Sequence, residues 1–211
     1  MASAGTQLLK LAIPLVPKHG FTRQALALSA LSMPTPHTQP LSDAAVSSLF
    51  GQGDDSRRAL ITAWQDDARE RMKLVPAPSV REVLRARLAC NEPVLSYLPE
   101  AFALLASPTS GLPPLDPRPG LRHAGKVADD ACWITKDANT GTSYYTRRAS
   151  LAAIYAAAEL HQITSPNTAY HFLDSLLDAS SKLGSALDET GLFANYVMKG
   201  WAGIIKSRGM L

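Results

Sequence analysis

The hydrophobic residues of this chain recur at intervals of three or four, and no stretch alternates apolar and polar residues over any length. Near the start, for example, Leu8, Leu9, Ala12 and Leu15 fall on one face of a helix. Proline and glycine interrupt the pattern repeatedly, and the five prolines between residues 107 and 120 exclude regular helix there. The pattern predicts an all-α protein of about ten helices.

The composition agrees with a folded chain whose many hydrophobic side chains must be buried or used at a surface. Of 211 residues, 46% are hydrophobic and only 18% are charged, which excludes a disordered tail protein. The net charge of +3 is too small for a strongly electrostatic nucleic-acid binder. Two cysteines exclude a disulfide scaffold. Since no stretch is long and apolar enough to span a bilayer, the hydrophobic residues must lie in a core, a cavity or a surface.

Residues 1–6 are small or polar and lead directly into the first apolar helix. They include neither a secretory signal core nor an Arg-rich amphipathic presequence. We therefore expect either a cytosolic protein or a chain whose targeting segment has been removed, and the sequence leaves both open.

The C-terminal segment, residues 184–211, predicts a final amphipathic helix over about 192–206. One broad stripe of this helix is apolar, and cations lie beside it. The apolar members are Leu192, Phe193, Tyr196, Val197, Trp201, Ile204 and Ile205, and the cations include Lys199, Lys206 and Arg208. Because tryptophan favours membrane interfaces, the stripe predicts attachment to a membrane surface. The alternative is a terminal helix packed on its own core or on a second copy.

Motifs for catalysis or metal binding are missing from the sequence. None of the five histidines follows a glutamate by three residues, as a di-iron bundle site requires. CxxC, GxSxG, HExxH and phosphate-loop motifs are also absent. We therefore predict a protein that is not an enzyme and that has no cofactor, no metal site and no catalytic residue.

Three stretches together resemble a known family. They are LLKLAIPLVPKHGFT at 8–22, RL followed by NEPVLSYLPEA at 87–101, and ADD at 128–130 followed by SYYTRRASLA at 143–152. These stretches resemble the ubiquinone-biosynthesis accessory proteins of mitochondria, the lipid-binding Coq-nine family. The resemblance covers most of residues 8–182, and the YYTRRA–LA stretch is its most specific part.

The resemblance implies a TetR-like helical bundle that forms homodimers. It further implies that the protein binds isoprenoid quinone intermediates and phospholipid, sits peripherally on the matrix side of the mitochondrial inner membrane, and presents the intermediates to the di-iron demethoxyubiquinone hydroxylase. The implied division is a degenerate helix-turn-helix-like region at 1–75, a lipid-binding helical body at 76–183, and a membrane-binding helix at 184–211.

The same resemblance assigns candidate site residues. Arg148, the second arginine of the motif, would contact a phospholipid head group, since a guanidinium matches phosphate geometry. An ordinary ion pair to Asp129, Asp130 or Asp137 is the alternative. Asp129, Tyr144 and Tyr145 would dock the hydroxylase, although the family commonly has tryptophan where this chain has Tyr144. For Asp129 the alternative is a solvated helix face.

The helix that begins near Ser143 is rich in small residues. We interpret four of them as the wall of a pocket for an isoprenoid tail, because small side chains leave volume unfilled. These four are Ala149, Ala152, Ala153 and Ala156. Close packing against another helix, including a dimer partner, is the alternative interpretation.

A TetR-like bundle also raises the alternative of a ligand-responsive transcriptional regulator. A recognition helix should carry residues that contact bases and phosphates. The predicted helix at 41–50 contains no lysine or arginine, and a proline-rich loop precedes it where a tight turn would be needed. We therefore expect no nucleic-acid partner.

Overall fold

The computed structural model describes residues 4–35, 37–76, 79–107, 115–136 and 142–182. All regular structure in these residues is helical, which confirms the all-α prediction. The α-helices are α1 (Ala4–Ala12), α2 (Val16–His19), α3 (Arg23–Leu28), α4 (Asp43–Phe50), α5 (Asp55–Met72), α6 (Val80–Ala89), α7 (Leu98–Ala106), α8 (Arg118–Ile134), α9 (Thr142–Thr164) and α10 (Ala169–Lys182). Short 3₁₀ segments cover Ile13–Leu15, Ser29–Ser32, Glu92–Tyr97 and Pro166–Thr168.

Side-chain caps fix the starts of several helices. Thr22 accepts a hydrogen bond from the backbone N–H of Ala25 at the start of α3. Ser79 and Glu82 form a capping box at α6, in which each side chain bonds the backbone of the other residue. Such caps satisfy the backbone donors that a first turn leaves without partners.

Prolines shift some boundaries from their predicted positions. The region 107–120 was expected to lack regular helix, but α8 begins at Arg118 and includes Pro119. Proline is tolerated there because the first helical turn needs no internal N–H donor. Pro14 lies in a 3₁₀ segment between α1 and α2.

The chain divides into two compact units. The first comprises residues 1–68 and 93–104, and the second comprises residues 69–92 and 105–211. In the first unit, Gly20 ends α2 with φ +67°, and its Cα faces the ring of Tyr97 so closely that a Cβ would lie 3.0 Å from a ring carbon. This contact joins the first two stretches of the family resemblance, 8–22 and 91–101.

In the second unit, α9 packs against both α8 and α10, and α6 contacts all three of these helices. Its core is made of buried aliphatic, small and aromatic side chains: Met72, Val83, Leu84, Leu88, Ala124, Val127, Ala128, Ala131, Cys132, Leu151, Ile154, Tyr155, Ala156, Ala157, Ala158, Leu160 and Leu173. On the surface, Asp174 of α10 pairs with Arg81, at 3.2 Å, and with Arg85 of α6.

Parts of the sequence-based prediction extend beyond these observations. The three-part division at 1–75, 76–183 and 184–211 and the TetR-like topology stay predictions. The final amphipathic helix predicted over 192–206 lies outside the described residues, as do all its proposed membrane-binding side chains.

Candidate functional site

Three predicted site residues meet where α8 and α9 come together. Arg148 forms an ion pair with Asp129 of α8. Its guanidinium carbon also lies 4.6 Å from the ring centre of Tyr144, and its Nη1 donates a hydrogen bond of 2.5 Å to the Tyr144 hydroxyl. The i, i+4 spacing on α9 puts Tyr144 and Arg148 on one face. The residues assigned separately to partner docking and to lipid binding therefore form one cluster, which we call the Asp129–Arg148 cluster.

These contacts bear on whether Arg148 forms an ion pair or contacts a phospholipid head group. Of the three carboxylates considered as ion-pair partners, Asp129 is in contact with it, while Asp130 pairs with Arg69 at 2.6 Å. Asp137 lies outside the described residues. Arg148 remains 24% exposed, so part of its donor set faces the surface.

Exposed aromatic side chains lie beside this cluster. Tyr145 is 72% exposed and contacts Tyr144 edge to face, with ring centres 5.5 Å apart. Trp133, near the end of α8, is 77% exposed. Large aromatic side chains presented by helices are typical anchors of protein interfaces.

A surface cavity of about 300 Å³ opens at the same end of the two helices. Cys132, Trp133, Lys136 and Tyr144 line it. The backbone of Lys136 is left-handed, with φ +52°, just after α8 ends. The walls of the cavity combine aromatic surface with one cation, and the cavity volume is at the lower limit of small-ligand sites.

The alanines predicted to line a lipid pocket lie on one face of α9, at graded depths. Ala149 is exposed, Ala152 and Ala153 are half-buried, and Ala156 is buried in the core of the second unit. Ala156 thus packs closely with other helices, as in the alternative interpretation. The half-buried pair leaves a shallow small-residue surface on α9, and its role as a pocket wall stays a prediction.

A second polar cluster, which the sequence reasoning missed, is buried among α6, α8 and α9. At its centre the carboxylate of Glu159 accepts hydrogen bonds from the Tyr155 hydroxyl, at 2.5 Å, and from the Asn91 amide, at 3.1 Å. Arg87 donates to Asn91 at 2.7 Å and lies 3.7 Å from Glu159. The nearest nitrogen of His123 lies 3.3 Å from Arg87 and 3.7 Å from Glu159. We call this the Arg87–Glu159 network.

Gln162 completes the network. It accepts a hydrogen bond from Asn91 at 3.0 Å and donates one of 3.0 Å to the backbone carbonyl of Leu88. Every side-chain member is at most 6% exposed. Buried polar groups must satisfy one another because water does not reach them, so this network fixes how α6, α8 and α9 pack.

The burial shifts the ionisation of the network. Burial lowers the pKa of His123 below its ordinary value, because desolvation disfavours the imidazolium despite the nearby carboxylate of Glu159. Burial alone would raise the pKa of Glu159, but its charged and hydrogen-bonding neighbours lower it further than burial raises it. Near neutral pH the cluster therefore holds one cation, Arg87, one anion, Glu159, and a neutral histidine.

Two sequence signals could have revealed this network. Arg87 stands on the apolar face of α6 among Val83, Leu84 and Leu88, where a charge is unexpected unless it is paired. Tyr155, Glu159 and Gln162 follow at i, i+4 and i+7 on the otherwise apolar face of α9. A charged residue on a buried stripe predicts an oppositely charged residue on a facing helix.

Within the described residues, no group of three or more His, Cys, Asp or Glu side chains is placed to bind a metal ion. In the same part of the chain, none of the helices combines the length and apolar character needed to cross a membrane.

The described residues form an all-α protein whose candidate site lies on α8 and α9. The COQ9 family model matches residues 118–184, which include α8, α9 and α10. The chain is similar to the "Ubiquinone biosynthesis protein COQ9, mitochondrial" of Bos taurus, at 29% identity over 93% of this chain and 63% of the relative. The Rattus norvegicus protein of the same name is 29% identical over 93% of this chain and 65% of the relative. These matches confirm the resemblance to the ubiquinone-biosynthesis COQ9 family.

The Drosophila melanogaster protein of that name is 28% identical over 87% of this chain and 57% of its own length. The chain therefore spans somewhat less than two thirds of the curated relatives it matches.

Proposed function

We propose that this chain is a non-catalytic lipid-binding accessory protein of ubiquinone biosynthesis. The observation that supports this most is where the COQ9 match falls. The matched residues 118–184 contain the Asp129–Arg148 cluster, the exposed Tyr145 and the small-residue face of α9. The relatives' printed names place them in ubiquinone biosynthesis and in mitochondria.

In this proposal the protein shields an isoprenoid quinone intermediate and passes it to the di-iron demethoxyubiquinone hydroxylase. The tail lies against the small-residue face of α9, in surroundings as apolar as a bilayer interior. Moving the tail from bilayer to protein then costs far less than exposing it to water, at about 25 cal/mol per Å² of apolar surface. Arg148 provides donors for a phospholipid head group beside the same helix.

The remaining parts of the proposal concern location and assembly. The stripe at 192–206 attaches the protein peripherally to the matrix side of the mitochondrial inner membrane. Asp129, Tyr144 and Tyr145 form the surface that docks the hydroxylase. The bundle is TetR-like and homodimeric, and it is divided at 1–75, 76–183 and 184–211.

Native mass spectrometry of the purified chain, followed by lipid extraction, tests the lipid-binding part. We expect a co-purified isoprenoid or phospholipid, and a lipid-free protein without affinity for vesicles would contradict it. Ala152→Phe should reduce the bound lipid because it fills the half-buried face of α9. Ala179→Phe is the matched control, since it adds the same ring at an exposed position of α10.

Flotation with cardiolipin-containing vesicles tests the membrane-binding part. We expect the intact chain to float and a chain ending at Gly191 to float much less. Equal flotation of the two would remove the terminal stripe from the proposal while leaving the lipid pocket untouched.

The alternative, a ligand-responsive transcriptional regulator, finds little support in the first unit. Arg23 is the cation of α3 next to α4, and its donors bond side chains of the same unit. They bond the side chain of Asp43 at 2.7 Å, Ser47 at 2.6 Å and Ser56 at 3.0 Å. Asp43 and Ser47 of α4 thus bind Arg23 of α3, so this cation is engaged within the unit. Gel-shift binding to duplex DNA at physiological salt would favour the regulator.

A further inference from the structure

Arg148 of α9 is held by two residues of the surface proposed for docking. Its Nη2 pairs with the carboxylate of Asp129 on α8, and its Nη1 donates a hydrogen bond to the Tyr144 hydroxyl. The guanidinium carbon also lies 4.6 Å from the ring centre of Tyr144. Two of the three guanidinium nitrogens therefore bond residues that a docking protein would contact.

A lipid phosphate needs the same nitrogens. A guanidinium binds a phosphate bidentately through Nη1 and Nη2 or through Nε and Nη2. Both pairs include Nη2, which is the nitrogen that the carboxylate of Asp129 contacts. A phosphate on either pair would also lie close to this carboxylate, and the two negative charges repel each other. The Asp129 carboxylate and a lipid phosphate therefore compete for Arg148.

The ion pair lies where a docking protein can reach it. Asp129 is 46% exposed and Arg148 is 24% exposed, and exposed ion pairs contribute little to stability, so exchanging this one costs little. Asp130, the next residue of α8, is only 17% exposed and pairs with Arg69 instead. Of these two neighbouring carboxylates, Asp129 is the one that a partner can take over.

We propose that the Asp129–Arg148 ion pair couples partner docking to phospholipid binding. A cationic side chain of the docking protein takes Asp129, and the released Arg148 then binds the phosphate of a lipid head group. Tyr144 keeps the guanidinium in place during the exchange, since its hydroxyl and ring contact Arg148 independently of Asp129. The inference rests on the proposed function, because it links the docking surface to the head-group contact.

Such a coupling acts in both directions. A phosphate bound to Arg148 leaves Asp129 available to a cation of the docking protein. By thermodynamic linkage, the partner and the lipid raise the affinity of each other by the same factor. The modest strength of an exposed ion pair limits this factor to about fivefold. Docking would then be favoured at a phospholipid surface over free solution.

Isothermal titration calorimetry of the full chain with dihexanoylphosphatidylglycerol, below its micelle concentration, tests the competition. Asp129→Asn removes the competing charge and should lower the Kd for this lipid about fivefold. The matched control is Asp130→Asn, which removes the same charge one residue away from a carboxylate that pairs with Arg69. Its Kd should equal that of the unmodified chain. An unchanged Kd in Asp129→Asn, or equal gains in both variants, overturns the proposal.

Two further controls keep this comparison decisive. Asp178→Asn replaces Asp130→Asn if thermal unfolding shows that the latter is unstable, because Asp178 forms an exposed ion pair with Arg81 in the same unit. Inorganic phosphate, titrated in the same way, distinguishes a phospholipid from a free ion. Inorganic phosphate that binds as tightly as the lipid would show a site for the free ion and overturn the proposal.

Arg148→Ala separates this inference from the proposed function. If Arg148→Ala binds the lipid as tightly as the unmodified chain, the head-group contact is wrong and the coupling is overturned with it. If Arg148→Ala loses the lipid while Asp129→Asn gains nothing, the head-group contact stands and the coupling alone is overturned.

Surface plasmon resonance with immobilised hydroxylase measures the coupling directly. Saturating dihexanoylphosphatidylglycerol should lower the Kd of the unmodified chain for the hydroxylase about fivefold. In Arg148→Ala the same lipid should leave the Kd unchanged. A Kd that does not respond to lipid in the unmodified chain overturns the coupling. An absence of hydroxylase binding with and without lipid overturns the docking surface as well.

Discussion

The guanidinium of Arg87 lies 3.7 Å from the carboxylate of Glu159, and both side chains are almost completely buried. A buried ion pair gains little over an apolar pair, because both ions lose their hydration. Removing one member is costly, however, because it leaves the other charge buried and uncompensated.

We therefore expect Arg87→Met to lower the free energy of unfolding by about 3–5 kcal/mol. The double variant Arg87→Met with Glu159→Gln should lose less than the two single variants together, since no charge is then left alone. Urea unfolding followed by far-UV circular dichroism measures both. Arg85→Ala, an exposed ion-pair change on the same helix, is the control and should cost under about 1 kcal/mol.

The sequence predicts the helical fold but not the Arg87–Glu159 network. Helical periodicity is a local signal, so the all-α class follows from it. The Arg87–Glu159 network joins residues 72 positions apart, and only tertiary packing decides that they meet. The ion pair of Arg148 with Asp129 was one of three open choices for the same reason. The prolines between 107 and 120 argue against regular helix there, yet α8 begins at Arg118, because the first turn of a helix accepts proline.

Protonation of His123 should destabilise the protein in mild acid. Because burial lowers its pKa below the ordinary 6.5, the unfolded chain binds a proton that the native chain excludes. The contribution of neutral His123 to stability is complete above pH 6.5. It is lost as the pH falls below that value, by at most about 1.4 kcal/mol per pH unit. Below 4.5 the lowered pKa of Glu159 adds a second loss of the same sign.

Urea midpoints at about pH 7.5 and about pH 5.5 measure this effect around the ordinary histidine pKa. His123→Gln should flatten the difference between the two midpoints, whereas His171→Gln, at an exposed position of α10, should not. An unchanged pH dependence in His123→Gln would exclude this histidine as the titrating group.

Gly20→Ala should destabilise the first unit. Its φ of +67° and ψ of −172° are a conformation that side-chain-bearing residues rarely adopt, and the new Cβ would lie 3.0 Å from the Tyr97 ring. We expect a loss of about 2–3 kcal/mol in the free energy of unfolding from strain and crowding together. Gly53→Ala is the control: φ is +52°, but no atom lies within 4 Å of its Cβ. Its cost should stay near 1 kcal/mol, and equal losses would show that the Tyr97 contact is unimportant.

Tyr145→Ala should weaken binding to the hydroxylase proposed as partner without weakening the fold. The ring is 72% exposed, so its removal leaves no core cavity, whereas a central aromatic anchor of an interface contributes 2 kcal/mol or more in typical cases. We expect the Kd measured by surface plasmon resonance to rise by about 30-fold. The thermal midpoint should change little.

The matched control for this docking surface is Leu74→Ala. Leu74 is 81% exposed and lies in the same unit, but it is far along the chain from α8 and α9. Its loss removes a similar exposed apolar side chain and should leave hydroxylase binding unchanged. If Tyr145→Ala binds as tightly as Leu74→Ala, the partner does not use Tyr145. If both weaken binding equally, the effect reflects general apolar surface rather than a docking site centred on the Asp129–Arg148 cluster.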